Sequence, residues 1–305
     1  MIRPKYVIEF LSENMRKTGN PLGIGNEKIN TWWKEADIKN EGEWFFFTGM
    51  LYQLTPYIET VTGYLEKIEN SGLQTLLVLS RYVPIPFSIL GMITPKDSRN
   101  EADRILRSIH SLLVKSGIDV YYLPELDFYS GILLYDFGDD DGFREHARFV
   151  AEKLSEAGVE KIVTPDPHTT YALRKLYPEY TGKRFEVKSY IELIYGLKGR
   201  NREEFVIHDP CYYGRYLEIS DRIREVLDSA GIGYRDVEYS KRMTNCCGGP
   251  IEALSPKISK EIAKLRLEEL GNSGIITFCP ICLANLRRAG GNAVDFALVV
   301  GDENR

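Results

Sequence analysis

The chain has 305 residues, 43% of them hydrophobic and 27% charged, enough for two domains of ordinary size with a substantial core. Its net charge of −5 gives no global reason to expect nucleic acid. The longest apolar run, 82–94, is interrupted by Pro84 and Pro86 and followed by Lys96, so no transmembrane segment is expected.

The opening MIRPKYVIEF lacks the long apolar stretch and small-residue cleavage site of a signal peptide, which points to a reducing cytoplasm. Residues 7–17 read as a short helix and 19–26 (GNPLGIGN) as a turn. A further short helix over 28–36 carries Trp32 and Trp33, a pair suited to anchoring this segment against a body.

From residue 43 strands and helices alternate. The expectation is a strand at 44–48, a helix at 55–69 and a strand at 73–80. An irregular proline-containing stretch follows over 81–99. Then come a helix at 102–116, a strand at 119–123, a helix at 143–157 begun by the acidic run 139–141, a strand at 161–164 and a helix at 170–177. The pattern resumes after the charged stretch 196–202 with a strand at 204–208, a helix at 220–230 and a strand at 234–238. A helix at 255–270, a strand at 274–278 and a helix at 280–288 complete it. Strands separated by helices imply parallel sheets in an α/β fold. The predicted division is a linker-like segment 1–40, a cysteine-free unit 41–199 and a unit 200–305.

The two units match beyond rhythm. Thr48-Gly49-Met50 falls where Asp209-Pro210-Cys211 falls, and Tyr129-Ser130-Gly131 where Cys246-Cys247-Gly248 falls. Asp166 and Thr169 occupy the positions of Cys279 and Cys282, and Pro167 matches Pro280. We read an internal duplication: two Rossmann-like α/β units related by a pseudo-twofold, the first without thiols.

All five cysteines lie in the second unit, spaced C-x34-C-C-x31-C-x-x-C: Cys211, Cys246, Cys247, Cys279 and Cys282. An odd number of thiols in a reducing compartment suits metal binding better than disulfides. Cys211 and Cys279 each follow a predicted strand, where an open parallel sheet collects its ligands. Cys279 is expected to cap a helix with Pro280 at its first position, which favours the thiolate. Gly248 and Gly249 let backbone approach a bulky group, and their N–H groups can offset thiolate charge. An adjacent pair suits an extended cluster more than one small tetrahedral ion, and five thiolates exceed the four that one zinc takes. Iron–sulfur is therefore the leading reading and zinc the alternative; a redox C-x-x-C or buried core cysteines remain the blander ones.

The segments HDPC (208–211), NCCGG (245–249) and CPIC (279–282) resemble the CCG, or cysteine-rich, domain. That family includes a subunit of heterodisulfide reductase and the iron–sulfur subunits of glycolate and lactate oxidation and of anaerobic glycerol-3-phosphate dehydrogenase. The resemblance implies one [4Fe-4S] cluster, of the non-cubane kind, held by Cys211, Cys246, Cys247, Cys279 and Cys282 with Gly248 and Gly249 alongside. It implies a component of a multi-subunit oxidoreductase. Its partners would be a ferredoxin-like iron–sulfur subunit or an FAD-containing subunit, through which it could meet a membrane. Its substrate class would be a disulfide or a small organic molecule. Two departures stand out: the first unit lacks the thiols and carries an extra stretch over 73–101, and the gap before CPIC is shorter than usual.

His208 is the one candidate catalytic residue, able to hydrogen-bond a sulfur or pass a proton. Asp166 reads as a helix cap, with His168 beside it as a candidate for the edge of a central cleft. Tyr212, Tyr213 and Arg215 would shield a cluster, offset its charge or simply pack.

Overall fold

The computed structural model describes residues 3–69, 87–197 and 204–301. Two four-stranded parallel sheets frame it. The first contains β1 (Trp44–Phe46), β2 (Val120–Tyr121), β3 (Lys161–Thr164) and β4 (Glu186–Ser189), ordered β2-β1-β3-β4. The second contains β5 (Phe205–Ile207), β6 (Tyr234–Arg235), β7 (Gly274–Thr277) and β8 (Ala293–Asp295), ordered β6-β5-β7-β8. Taken in chain order within each sheet, the two arrangements are the same. The α/β class with parallel sheets is thus observed.

The central strands are buried except at the first residues of β3 and β7, Lys161 and Gly274, as expected of strands covered by helices on both faces. The helices bury one stripe each. In Lys96–Lys115 the stripe is Ile105, Leu106, Ile109, Leu112 and Leu113. Asp139 caps Asp140–Glu156 by accepting from the Gly142 N–H, and Ser255 caps Pro256–Leu270 through the Ile258 N–H. Trp32 is fully buried and packs edge-on against Phe46 and Tyr122, so it anchors the N-terminal segment.

Several elements differ from expectation. The described part of 81–99 is not irregular: Phe87–Ile93 is helical, and the next helix begins at Lys96 instead of residue 102. Pro95 stands just outside that helix as its cap residue, where proline disturbs no helical hydrogen bond. The helix expected at 55–69 starts at Leu51, four residues early, and contains Pro56 in its second turn. The strand expected at 73–80 lies outside the described residues, as does part of the 73–101 stretch and of 196–202.

The halves exchange matching contacts. Tyr52, two residues after Met50, donates its hydroxyl to Asp295 at the end of β8, at 2.7 Å. Tyr213, two residues after Cys211, meets Ser189 at the end of β4, at 2.6 Å. The helix Leu51–Ile68 packs on Pro256–Leu270 and Pro280–Arg288. Two ion pairs, Arg287–Glu101 at 2.8 Å and Lys260–Glu66 at 2.9 Å, also join the halves. The carboxyl ends of both sheets are thereby brought to the same region. Among the described residues, no helix is long and apolar enough to cross a membrane.

Candidate metal centre

Cys211 follows β5 and Cys279 follows β7, so both sit at the carboxyl edge of the second sheet. Asp209 fixes the first of these loops. Its buried carboxylate takes the Arg224 guanidinium on both oxygens and also accepts the Lys241 N–H at 2.8 Å. Its carbonyl accepts from the Thr244 hydroxyl at 3.0 Å. One residue thus ties the HDPC loop to the helix Ser220–Ala230 and to the segment leading into Cys246. Arg224 escaped the sequence reading; its signal was a cation beside the apolar stripe Ile223, Val226 and Leu227.

The turn after the cysteine pair needs its glycines. Gly248 has φ +86°, and a Cβ there would lie 2.4 Å from the Ser259 carbonyl. A Cβ on Gly249 would lie 2.4 Å from Ile281 and 3.5 Å from the Cys247 sulfur. The Gly248 N–H donates to Cys246 Sγ at 3.3 Å, the offset of thiolate charge expected from this turn.

The structure brings all five predicted cysteines together. Each thiol acts on the ionisation of the next: Cys211 on Cys246, Cys246 on Cys247, Cys247 on Cys282, and Cys282 on Cys279. Cys247, Cys279 and Cys282 are buried, while Cys211 and Cys246 are half-buried. Protons are shared unequally along this row. Hydrogen bonds from Cys211 and Cys247 hold Cys246 well below the usual thiol range. Burial opposes ionisation of Cys279, yet the Cys282 hydrogen bond and the charge of His168 outweigh it and favour its thiolate. Hydrogen bonding to their ionised neighbours, together with burial, pushes Cys211, Cys247 and Cys282 up. Cys279 caps the helix Pro280–Arg288 with Pro280 at its first position, as anticipated.

His208 lies under this row. Its ring nitrogen and the sulfurs of Cys247 and Cys282 lie within 4.8 Å of one another. Fully buried Arg266 donates Nε–H to His208 Nδ1 at 3.2 Å. Arg266 also donates to the Tyr239 carbonyl and to Glu269, whose other oxygen accepts from Asn245 at 2.7 Å. Asn245 precedes the cysteine pair, so one network holds both the pair and the histidine. Burial and the Arg266 charge push the His208 imidazole down to about 3. Its Nε2 is buried and has no hydrogen-bond partner among the described residues.

The first half approaches the same thiols. His168 Nδ1 lies 3.7 Å from Cys279 Sγ. The ring packs edge-on against Tyr212 with centroids 4.6 Å apart, and Tyr212 bonds Asp136 through its hydroxyl. Asp166 is the helix cap anticipated: it accepts from the His168 and Thr169 N–H groups at 2.9 and 3.0 Å. Arg215 turns away, bonding the carbonyls of Arg242 and Thr244, and so braces the loop. Tyr213 packs across the halves on Ser189.

Where the first half has no thiols, side chains fill the space. Met50, Tyr129, Ser130, Asp166 and Thr169 are all fully buried. Ser130 N–H donates to the Gly49 carbonyl at 3.4 Å, and a Cβ on Gly49 would lie 2.2 Å from the Thr169 hydroxyl oxygen. The corresponding loops therefore converge in this half too.

The donor set fits an iron–sulfur cluster. Five sulfurs lie in one continuous row, two of them favoured as thiolates, with Gly248 N–H already donating to one.

Comparison with known proteins agrees. The sequence pattern of the cysteine-rich domain matches residues 205–287. The chain is 30% identical over 201 residues to a probable iron-sulfur-binding oxidoreductase, FadF, of Bacillus subtilis, covering 61% of this chain and 28% of that protein. It is 29% identical over 209 residues to a probable membrane-anchored ferredoxin of Chromohalobacter salexigens, covering 62% and 31%. It is 28% identical over 210 residues to a component of the dihydromethanophenazine:CoB–CoM heterodisulfide reductase of Methanosarcina barkeri, covering 63% and 51%. The match thus spans between about a quarter and a half of each relative's length. Residues 205–287, which hold all five cysteines, thus carry the cysteine-rich domain pattern, and the chain is similar to proteins named as an iron–sulfur-binding oxidoreductase and a heterodisulfide reductase component.

Proposed function

We propose that this chain is an iron–sulfur electron-transfer subunit of a heterodisulfide reductase-like oxidoreductase. It would hold one [4Fe-4S] cluster, of the non-cubane kind, on Cys211, Cys246, Cys247, Cys279 and Cys282. The observation that carries this is the unbroken row of five sulfurs at the edge of one parallel sheet. When bound, such a cluster supplies one-electron redox chemistry.

The chain's own residues set the conditions. Gly248 and Gly249 leave room for backbone close to the sulfurs, and the Gly248 N–H offsets their charge. Arg266 has no acceptor atom and donates to His208 Nδ1, so the proton of the neutral imidazole sits on Nε2. His208 is then an N–H donor held among Cys247 and Cys282, which favours a sulfur-directed role over proton passing. Its partners would be a ferredoxin-like or FAD-containing subunit, and its substrate a disulfide or small organic molecule. The naming of similar proteins as a heterodisulfide reductase component and a membrane-anchored ferredoxin supports a subunit recruited to such an assembly.

Zinc is the second reading, favoured by the grouping of His208, Cys247 and Cys282. Ligation by His208 would require Nε2 to carry a lone pair, against the tautomer that Arg266 imposes. Iron and acid-labile sulfide analysis of anaerobically prepared protein tests the proposal. Four irons with matching sulfide support it; one zinc without sulfide refutes it.

A further inference from the structure

We propose that His168, from the half without thiols, completes the cluster site by donating an N–H to the sulfur of Cys279. This rests on the proposed function and deepens it: the first half would be a working part of the redox centre.

The argument begins with the helix cap. Asp166 draws the backbone N–H groups of His168 and Thr169 onto its carboxylate, fixing the first turn of the helix Pro167–Tyr171. That turn presents His168 toward the other half. The ring is then held edge-on by Tyr212, the residue after Cys211. Tyr212 is itself tethered to Asp136. The imidazole is 7% exposed, so it has little water to bond.

Two acceptors lie near its Nδ1. Asp166 Oδ1 is 3.8 Å away and already accepts two backbone N–H groups. Cys279 Sγ is 3.7 Å away, within hydrogen-bond range for sulfur though beyond it for oxygen. Cys279 also ends the row of sulfurs, and its neighbour Cys282 comes from its own helix. His168 is therefore the contact that reaches this end of the row from the first half. An N–H donated to a cysteine ligand stabilises the more negative, reduced state, and so raises the reduction potential.

The test compares wild type, His168→Phe and His168→Asn, each prepared anaerobically. Iron and sulfide per chain, thermal unfolding and the midpoint potential from a redox titration are read for all three. Phe keeps the ring packing on Tyr212 and removes the N–H; Asn restores an N–H. The expected result is equal iron, a more negative midpoint in His168→Phe, and an intermediate midpoint in His168→Asn. Cluster lost in Phe and retained in Asn also supports the donor role. Equal midpoints in all three loaded proteins overturn it, as does cluster loss in both variants, which would make the role one of packing. A wild-type chain that takes up no iron overturns the proposed function and this inference together.

Discussion

Arg266 donates its Nε–H to Nδ1 of His208 at 3.2 Å, with both side chains fully buried. A guanidinium cannot accept, so the bond has one polarity and fixes the imidazole tautomer. Replacing Arg266 by Leu leaves Glu269 without its cation and frees His208 to move its proton. A loss of about 2 kcal/mol in unfolding free energy is expected, from the hydrogen bonds that buried Arg266 makes to the Tyr239 carbonyl and to half-buried Glu269. Denaturant unfolding measures it, and ring-nitrogen NMR of the protein before iron loading should show the His208 tautomer mixed where wild type shows one.

Asp209 is the corresponding anchor for Cys211. Asp209→Asn removes the charge that meets Arg224 while keeping the side chain's size. The variant should lose about 3 kcal/mol of stability. It should also take up less iron, because the Lys241 N–H and the helix Ser220–Ala230 both depend on that carboxylate. Unchanged stability and iron content would show that the loop is held by other contacts.

Much of the fold was legible in the sequence, and the reasons differ by element. The helices 220–230 and 280–288 were placed to the residue because a glycine ends one and a proline opens the other. The strands β4 and β8 were missed. Their sequences, EVKS and AVD, are too short and mixed to show a period, and they sit at the outer edges of their sheets. The five cysteines announced themselves by type and spacing. Arg224 and Arg266 did not, since a cation on a helix looks solvated until the fold buries it. His168 fell between: it was visible as a residue beside a cap, but its distance to Cys279 depends on how the two halves meet.

His146 gives a pH dependence independent of the thiols. It donates from Nε2 to the Tyr129 carbonyl at 2.6 Å, and burial pushes its imidazole down to about 4 from an ordinary 6.5. The folded state therefore holds it neutral while the unfolded chain protonates it. The associated stability is fully present above pH 6.5 and is lost as pH falls from 6.5 through 4, by about 3 kcal/mol. His146→Gln keeps a side-chain donor without a titrating ring. Its stability should fall less steeply than that of wild type over that window in denaturant titrations at stepped pH. Parallel curves would remove His146 from the acid sensitivity.

The turn after the cysteine pair offers the sharpest steric test. Gly249→Ala places a methyl group 2.4 Å from the Ile281 side chain and 3.5 Å from Cys247 Sγ. Ile281 lies between Cys279 and Cys282, so relief of the clash must move either the pair or the C-x-x-C helix. The expected cost is about 1–3 kcal/mol, with lower iron uptake and a changed visible spectrum. Cys246→Ser is the companion experiment. Cys246 is a favoured thiolate, held low by Cys211 and Cys247 on either side of it. Its loss should abolish the cluster signal while leaving the fold intact, because the side chain is half-buried and the exchange is nearly isosteric. If Gly249→Ala loads iron normally and Cys246→Ser keeps the wild-type spectrum, the cluster is not seated on this turn.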